Sequence, residues 1–147
     1  MTEPLVTGST DGRTTDLGVV RFRLIAGADA TGGAFSLAEF SGQEGPWTVP
    51  HVHREMEESF YVLAGRFTFT IAGEEIKAGP DTYLLVPRGT AHVMRAHEGG
   101  GRFVTLMVPG GLEEMFFELG SLSADALRDP EARRAVSAKY DSIPVES

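Results

Sequence analysis

The stretch H-V-H-R-E-M-E-E-S-F-Y-V-L-A-G, residues 51–65, decides how this chain is read. It holds two of the four histidines, one residue apart. In a β-strand side chains alternate with period two, so His51 and His53 leave the backbone on one face. Two neutral imidazoles side by side form half of a site for Zn, Cu, Fe or Ni. A carboxylate follows closely, at Glu55, Glu57 or Glu58. A third histidine, His92, closes a second patterned stretch, P-R-G-T-A-H, residues 87–92.

Working outward, the flanking sequence is a series of short β patterns. Residues 17–26 alternate, with Val20, Phe22 and Leu24 apolar between Arg21 and Arg23. Residues 34–40 predict a second strand, and 27–33 a turn. After Glu58 one strand ends at Gly65, and Phe67, Phe69 and Ile71 alternate in the next. Residues 74–77 and 83–86 follow as strands. The pattern then predicts a strand over 92–96, a glycine-rich loop over 98–101 and a strand over 102–108. Eight or so short strands punctuated by glycine and proline predict an all-β sandwich or barrel. Alternate residues of a barrel line one inner wall, which can gather His51, His53 and His92.

Beyond Pro109 the period changes. Leu112, Met115, Phe116 and Leu119 recur at helical spacing among Glu113, Glu114 and Glu118. Ser123-Ala124-Asp125 can open a second helix and Pro130 a third. The expected organisation is a flexible arm over 1–16, a barrel over 17–110 and a helical tail over 111–147 packed on the barrel.

Bulk properties narrow the function classes. With 147 residues and no cysteine, disulfides, thiolate zinc sites and cysteine nucleophiles are excluded. A net charge of −8 disfavours phosphate backbones and anionic membranes, so neither nucleic acid nor membrane is expected as a partner. The N-terminus lacks a basic region followed by an apolar core, and the expectation is a cytoplasmic protein.

The residues now quoted resemble the two motifs of the small single-domain cupins. Gly45, His51, His53, Glu58 and Gly65 fall at the spacing of the first motif, and Gly79, Pro87, Gly89 and His92 follow the second. The 79–87 gap is longer than usual, and Ala96 stands where an asparagine is common. The resemblance implies a jelly-roll barrel with a divalent transition metal (Fe, Ni, Mn, Co or Zn) held by His51, His53, Glu58 and His92. Strand parity alone favours Glu55 or Glu57, so the family spacing requires the chain to turn or bulge between His53 and Glu58.

The stretch is also similar to the bacterial cupins related to quercetin dioxygenase. That implies a metal-dependent dioxygenase acting on a flavonol, enediol or polyketide-like small molecule, with Glu58 as ligand and general base. Related cupins run cyclase, isomerase or decarboxylase chemistry with the metal as Lewis acid, and a non-catalytic metal or ligand binder is a third reading. Period-two counting puts Phe60 and Val62 on the face of Glu58 and Met94 on that of His92. These three, with Trp47, are the expected pocket wall. His97 is expected to be solvated. The family further implies a homodimer, with residues 17–26 as a candidate free edge.

Overall fold

A computed structural model describes residues 3–146. In chain order the elements are β1 (Thr14–Asp16), β2 (Val20–Ala26), α1 (Ala28–Thr31), β3 (Ser36–Gly42), β4 (Gly45–Pro46), β5 (His51–Val52), β6 (Glu57–Ile71), β7 (Glu74–Ala78), β8 (Tyr83–Val86), β9 (His92–Val108), α2 (Glu113–Gly120), α3 (Ala124–Arg128), α4 (Pro130–Ser137) and β10 (Ile143–Pro144). The ten strands form one continuous, strongly bent sheet in a jelly roll.

Two long strands carry it. β6 has 15 residues and β9 has 17, and they pair antiparallel from Glu57↔Val108 to Ile71↔His92. On its other edge β6 pairs with β8 and β7, and β9 with β3, β4 and β5. Each was expected as two shorter strands, and the expected loop over 98–101 is instead the bend of β9. Register shifts lie between Val62 and Ala64 and between Gly65 and Phe67. These bulges exchange the inward parity, from Glu58, Phe60 and Val62 to Phe67 and Phe69. Glycine is required there because backbones nearly touch. Gly65 sits at φ +81°, and a Cβ would lie 2.2 Å from the carbonyl oxygen of Gly100.

The inward faces fill with aromatic rings. Phe22 opposes Phe40, and Phe40 opposes Phe103, in neighbouring strands. Phe103 has five rings around it, with centroids 5.2–5.9 Å away: Phe40, Trp47, Phe60, Phe67 and Phe69. Such contacts add to the burial of apolar area, the main stabilising term.

The tail is bound more deeply than a capping helix requires. Phe116 stacks on Phe22 at 4.8 Å, and Met115 and Leu119 are buried. Ser123 and Asp129 cap α3 and α4 with their side chains. The chain then returns as β10, which pairs with β5, so the tail supplies a strand of the sheet. At the other end β1 lies within the expected arm. It pairs with Arg21–Arg23, so β2 has neighbours on both sides and residues 17–26 are not a free edge.

Glu113, at the start of α2, is 3% exposed. It accepts hydrogen bonds from the Ser36 hydroxyl (2.6 Å), the Ala28 N–H (2.7 Å) and the Gly111 N–H (2.9 Å). Burial pushes its carboxyl up, but these donors outweigh that and hold it below the ordinary carboxylate value. A depressed folded-state pKa gives stability present above the unfolded value and lost as pH falls through the folded one. Glu113→Ala is therefore expected to cost about 1–3 kcal/mol at pH 7, because buried donors lose their acceptor. Urea unfolding across pH should show wild-type stability falling below about pH 4.5, with a shallower fall in the variant.

Candidate metal centre and its pocket

His51 lies on β5, paired with His92 at the start of β9, and His53 follows β5 directly. Glu58 is the second residue of β6. All four are buried, and one donor atom from each lies within 4.8 Å of the others. Glu58 Oε1 is 3.1 Å from His53 Nε2 and 3.3 Å from His92 Nε2. Adjacent donors about 2.1 Å from one ion stand roughly 3.0 Å apart in an octahedron and about 3.4 Å in a tetrahedron.

The outer nitrogens explain the orientation of the rings. His51 Nδ1 meets the Val49 carbonyl at 2.7 Å, His53 Nδ1 the Asp141 carbonyl at 2.6 Å, and His92 Nδ1 the Thr90 carbonyl at 3.0 Å. A carbonyl only accepts, so each Nδ1 donates and each Nε2 lone pair is turned inward. Three inward lone pairs around a buried carboxylate constitute an electrostatic demand for a cation. His51 is held neutral, with its pKa pushed down to about 4 by burial and by His92 and His53. His53 is shifted the other way. Burial lowers it, but Glu58 and the Asp141 carbonyl outweigh burial. Burial would raise Glu58, yet its contacts with His53 and His92 hold it well below the carboxylate range. The His3Glu cluster fits a divalent metal site.

The parity question is settled by a turn. After Val52 the chain leaves the strand and re-enters at Glu57, so Glu58 faces inward with the histidines. Glu57 points outward to an ion pair with Arg88 at 3.6 Å, and Glu55 is exposed. Asp141 holds this turn from the far end of the chain. Its carboxylate accepts from the N–H groups of Arg54 (2.8 Å), Glu55 (2.9 Å) and Met56 (3.0 Å). One tail residue thus fixes both the His53 ring and the turn that aims Glu58. Thr105, also absent from the sequence expectations, places its hydroxyl 3.1 Å from Glu58 Oε2. Asp141→Ala keeps the backbone carbonyl that meets His53 but removes the acceptor of the three turn N–H groups, and by loosening the turn that aims Glu58 it is expected to weaken Co(II) affinity about tenfold or more. Isothermal titration of purified variant and wild type checks this.

The cluster opens onto a cavity of about 450 Å³. His51, His53 and Glu58 lie on its wall, with Trp47, Phe60 and Met94. Val62 does not. Its side chain is wholly buried, because period two gives the face but not the depth. Four residues beyond Glu58 it lies roughly 13 Å along the strand, among the packed rings. The sequence reading missed Phe40, Phe103 and the arginines of α3 and α4, which also line the cavity. His97 is half-buried and bonded to the Thr68 hydroxyl at 2.6 Å, so it is less solvated than expected.

Comparison with known proteins agrees with this geometry. Residues 39–109 match the cupin domain family model. Quercetin 2,3-dioxygenase of Bacillus subtilis (strain 168) is 33% identical over 117 residues, covering 80% of this chain and 35% of that protein. Quercetin 2,3-dioxygenase of Aspergillus japonicus is 29% identical over 87 residues, covering 56% and 25%. The chain thus spans about a third or less of the length of these relatives. Among solved structures, KdgF from Halomonas sp. superposes with a TM-score of 0.68 at 18% identity, covering 76% of this chain and 99% of that one. An RmlC-like cupin from Shewanella frigidimarina gives 0.65 at 15% identity, covering 76% and 96%. Likenesses at these identities concern the fold alone. No helix among the described residues is long and apolar enough to cross a membrane.

Proposed function

Since the chain belongs to the cupins, we propose that it is a metal-dependent enzyme acting on a small molecule, and specifically a dioxygenase of a flavonol, enediol or polyketide-like compound. The observation that carries this reading is the set of three imidazoles, each anchored at Nδ1 to a carbonyl, converging with one buried carboxylate on an apolar cavity. His51, His53, Glu58 and His92 would hold the ion. Fe, Ni, Mn, Co and Zn all suit this donor set. Such an ion supplies Lewis acidity toward a substrate oxygen and, where redox-active, a means of using dioxygen.

The chain's own residues do the rest. Trp47, Phe60 and Met94 exclude water and hold the flat body of the substrate beside the histidines. Glu58 is oriented at Oε2 by Thr105, which places the carboxylate to accept the proton of an enol or phenol brought to the site. The resemblance to quercetin 2,3-dioxygenases over 80% of this chain supports a substrate with adjacent hydroxyl and keto groups.

Oxygen uptake with quercetin, measured separately under Fe, Ni, Co and Mn, tests the reading. Uptake above background with at least one metal supports it. Background rates with all four, together with isomerisation of a dicarbonyl compound, would replace it with Lewis-acid chemistry. The assembly we infer is a homodimer in the cytoplasm. A light-scattering mass of twice the chain supports the dimer, and a single-chain mass refutes it.

A further inference from the structure

The cavity wall carries a charge that neither the metal cluster nor the fold uses. Arg128, Arg133 and Arg134 line it from α3 and α4. Arg128 is paired with Asp125 at 2.7 Å, and both are exposed. Arg133 is different. It is half-buried, and its guanidinium donates at 3.3 Å to the Leu127 carbonyl alone. Among the described residues six other cations also lack a carboxylate partner: Arg21, Arg54, Arg66, Lys77, Arg95 and Arg134. All six are exposed, where water solvates them. Among the described residues Arg133 is the unpaired cation partly withdrawn from bulk water, in a chain with 21 acidic residues against 13 basic ones. Glu58, the one carboxylate on the cavity wall, is engaged by two histidines.

A guanidinium drawn out of water without an anion is costly, and a planar oxyanion restores what it has lost through two parallel hydrogen bonds. Burial also holds the Arg133 pKa below its ordinary value, as expected for a cation short of solvation. No buried side-chain nitrogen or oxygen lacks a partner among the described residues, so the remaining Arg133 nitrogens stay accessible. The wall beside it is aromatic and apolar, through Phe40, Trp47, Phe60, Met94 and Phe103.

We infer that the natural substrate is an aromatic or similarly flat acid, and that Arg133 binds its oxyanion while another part of the molecule reaches the histidine–glutamate cluster. This rests on the proposed reading for the metal-facing end only. Recognition of charge by Arg133 stands or falls without a metal.

Trp47 is the one tryptophan of the chain and lies on the cavity wall, so its fluorescence reports occupancy. The metal-free protein is titrated with 2-naphthalenesulfonate and with its uncharged analogue 2-naphthalenesulfonamide. The expected result is at least about tenfold tighter binding of the anion, the size of one hydrogen-bonded charge pair. Arg133→Gln should bring the two probes to equal affinity without weakening the sulfonamide, and Arg133→Lys should restore part of the preference. Equal affinities in the wild type, binding of neither probe, or a preference that survives Arg133→Gln would overturn the inference. Should Arg133→Gln not fold, the wild-type comparison and Arg133→Lys still decide. Anion preference with no metal-dependent oxygen uptake would sink the proposed reaction and leave this inference standing. The converse pair of results would do the opposite.

Discussion

Replacing His51 with alanine is expected to abolish the stabilisation that a divalent cation gives this protein. A ligand that binds only the folded state stabilises it by RT ln(1 + [L]/Kd), about 4 kcal/mol at a thousandfold excess over Kd. Wild-type protein heated with excess Co(II) should therefore melt well above the metal-free form. His51→Ala removes one of four donors and leaves the rest in place. His51 makes no contact with Glu58 short enough to be a hydrogen bond, and its ring is hydrogen-bonded to the Val49 carbonyl. The metal-free variant should consequently fold and melt close to metal-free wild type, while the Co(II)-induced rise disappears. A full rise in the variant would remove His51 from the ligand set.

The second large effect is structural. Phe103→Ala should cost about 3–5 kcal/mol, the range for removing a buried phenylalanine. For a domain of this size that corresponds to a fall in Tm of roughly 6–20 °C. The reason is position. Phe103 is 1% exposed, lies in the longer central strand and meets five other rings. Its loss leaves a cavity that five separately anchored side chains cannot close together. Leu106, on the outward face three residues away and 36% exposed, is the control, and its alanine variant should cost far less. Thermal melts of both metal-free variants provide the comparison.

The two cases show what local sequence can and cannot reveal. Period-two alternation identifies inward residues of β2, β6 and β9, because a half-buried strand must alternate. The α4 start is equally local, since Asp129 caps the helix and Pro130 opens it. His51, His53, Glu58 and His92 are picked out together through the motif spacing of the cupins, since strand parity alone favours Glu55 or Glu57 over Glu58.

Glycine also misled. Gly65 and residues 99–101 read as chain breaks, yet they bend two continuous strands at a point where three backbones crowd together. Only the partner strand distinguishes a glycine needed for closeness from one needed for a turn. Asp141 was invisible for another reason. Its three N–H partners lie 85–87 residues earlier, and no local pattern records a contact at that separation. The same holds for Arg133, whose isolation is a matter of what does not stand next to it in space. Val62 was assigned the right face and the wrong depth.

One ion should meet all four side chains, and X-ray absorption at the cobalt edge of the Co(II)-loaded protein measures that directly. The expected result is about one cobalt per chain in a first shell of nitrogen and oxygen donors only, with the multiple-scattering signature of three imidazoles at roughly 2.0–2.2 Å. Replacing Glu58 with glutamine should change that shell, and replacing Glu57 should not. A shell of six water-like oxygens without imidazole scattering, or one indifferent to Glu58, would contradict it.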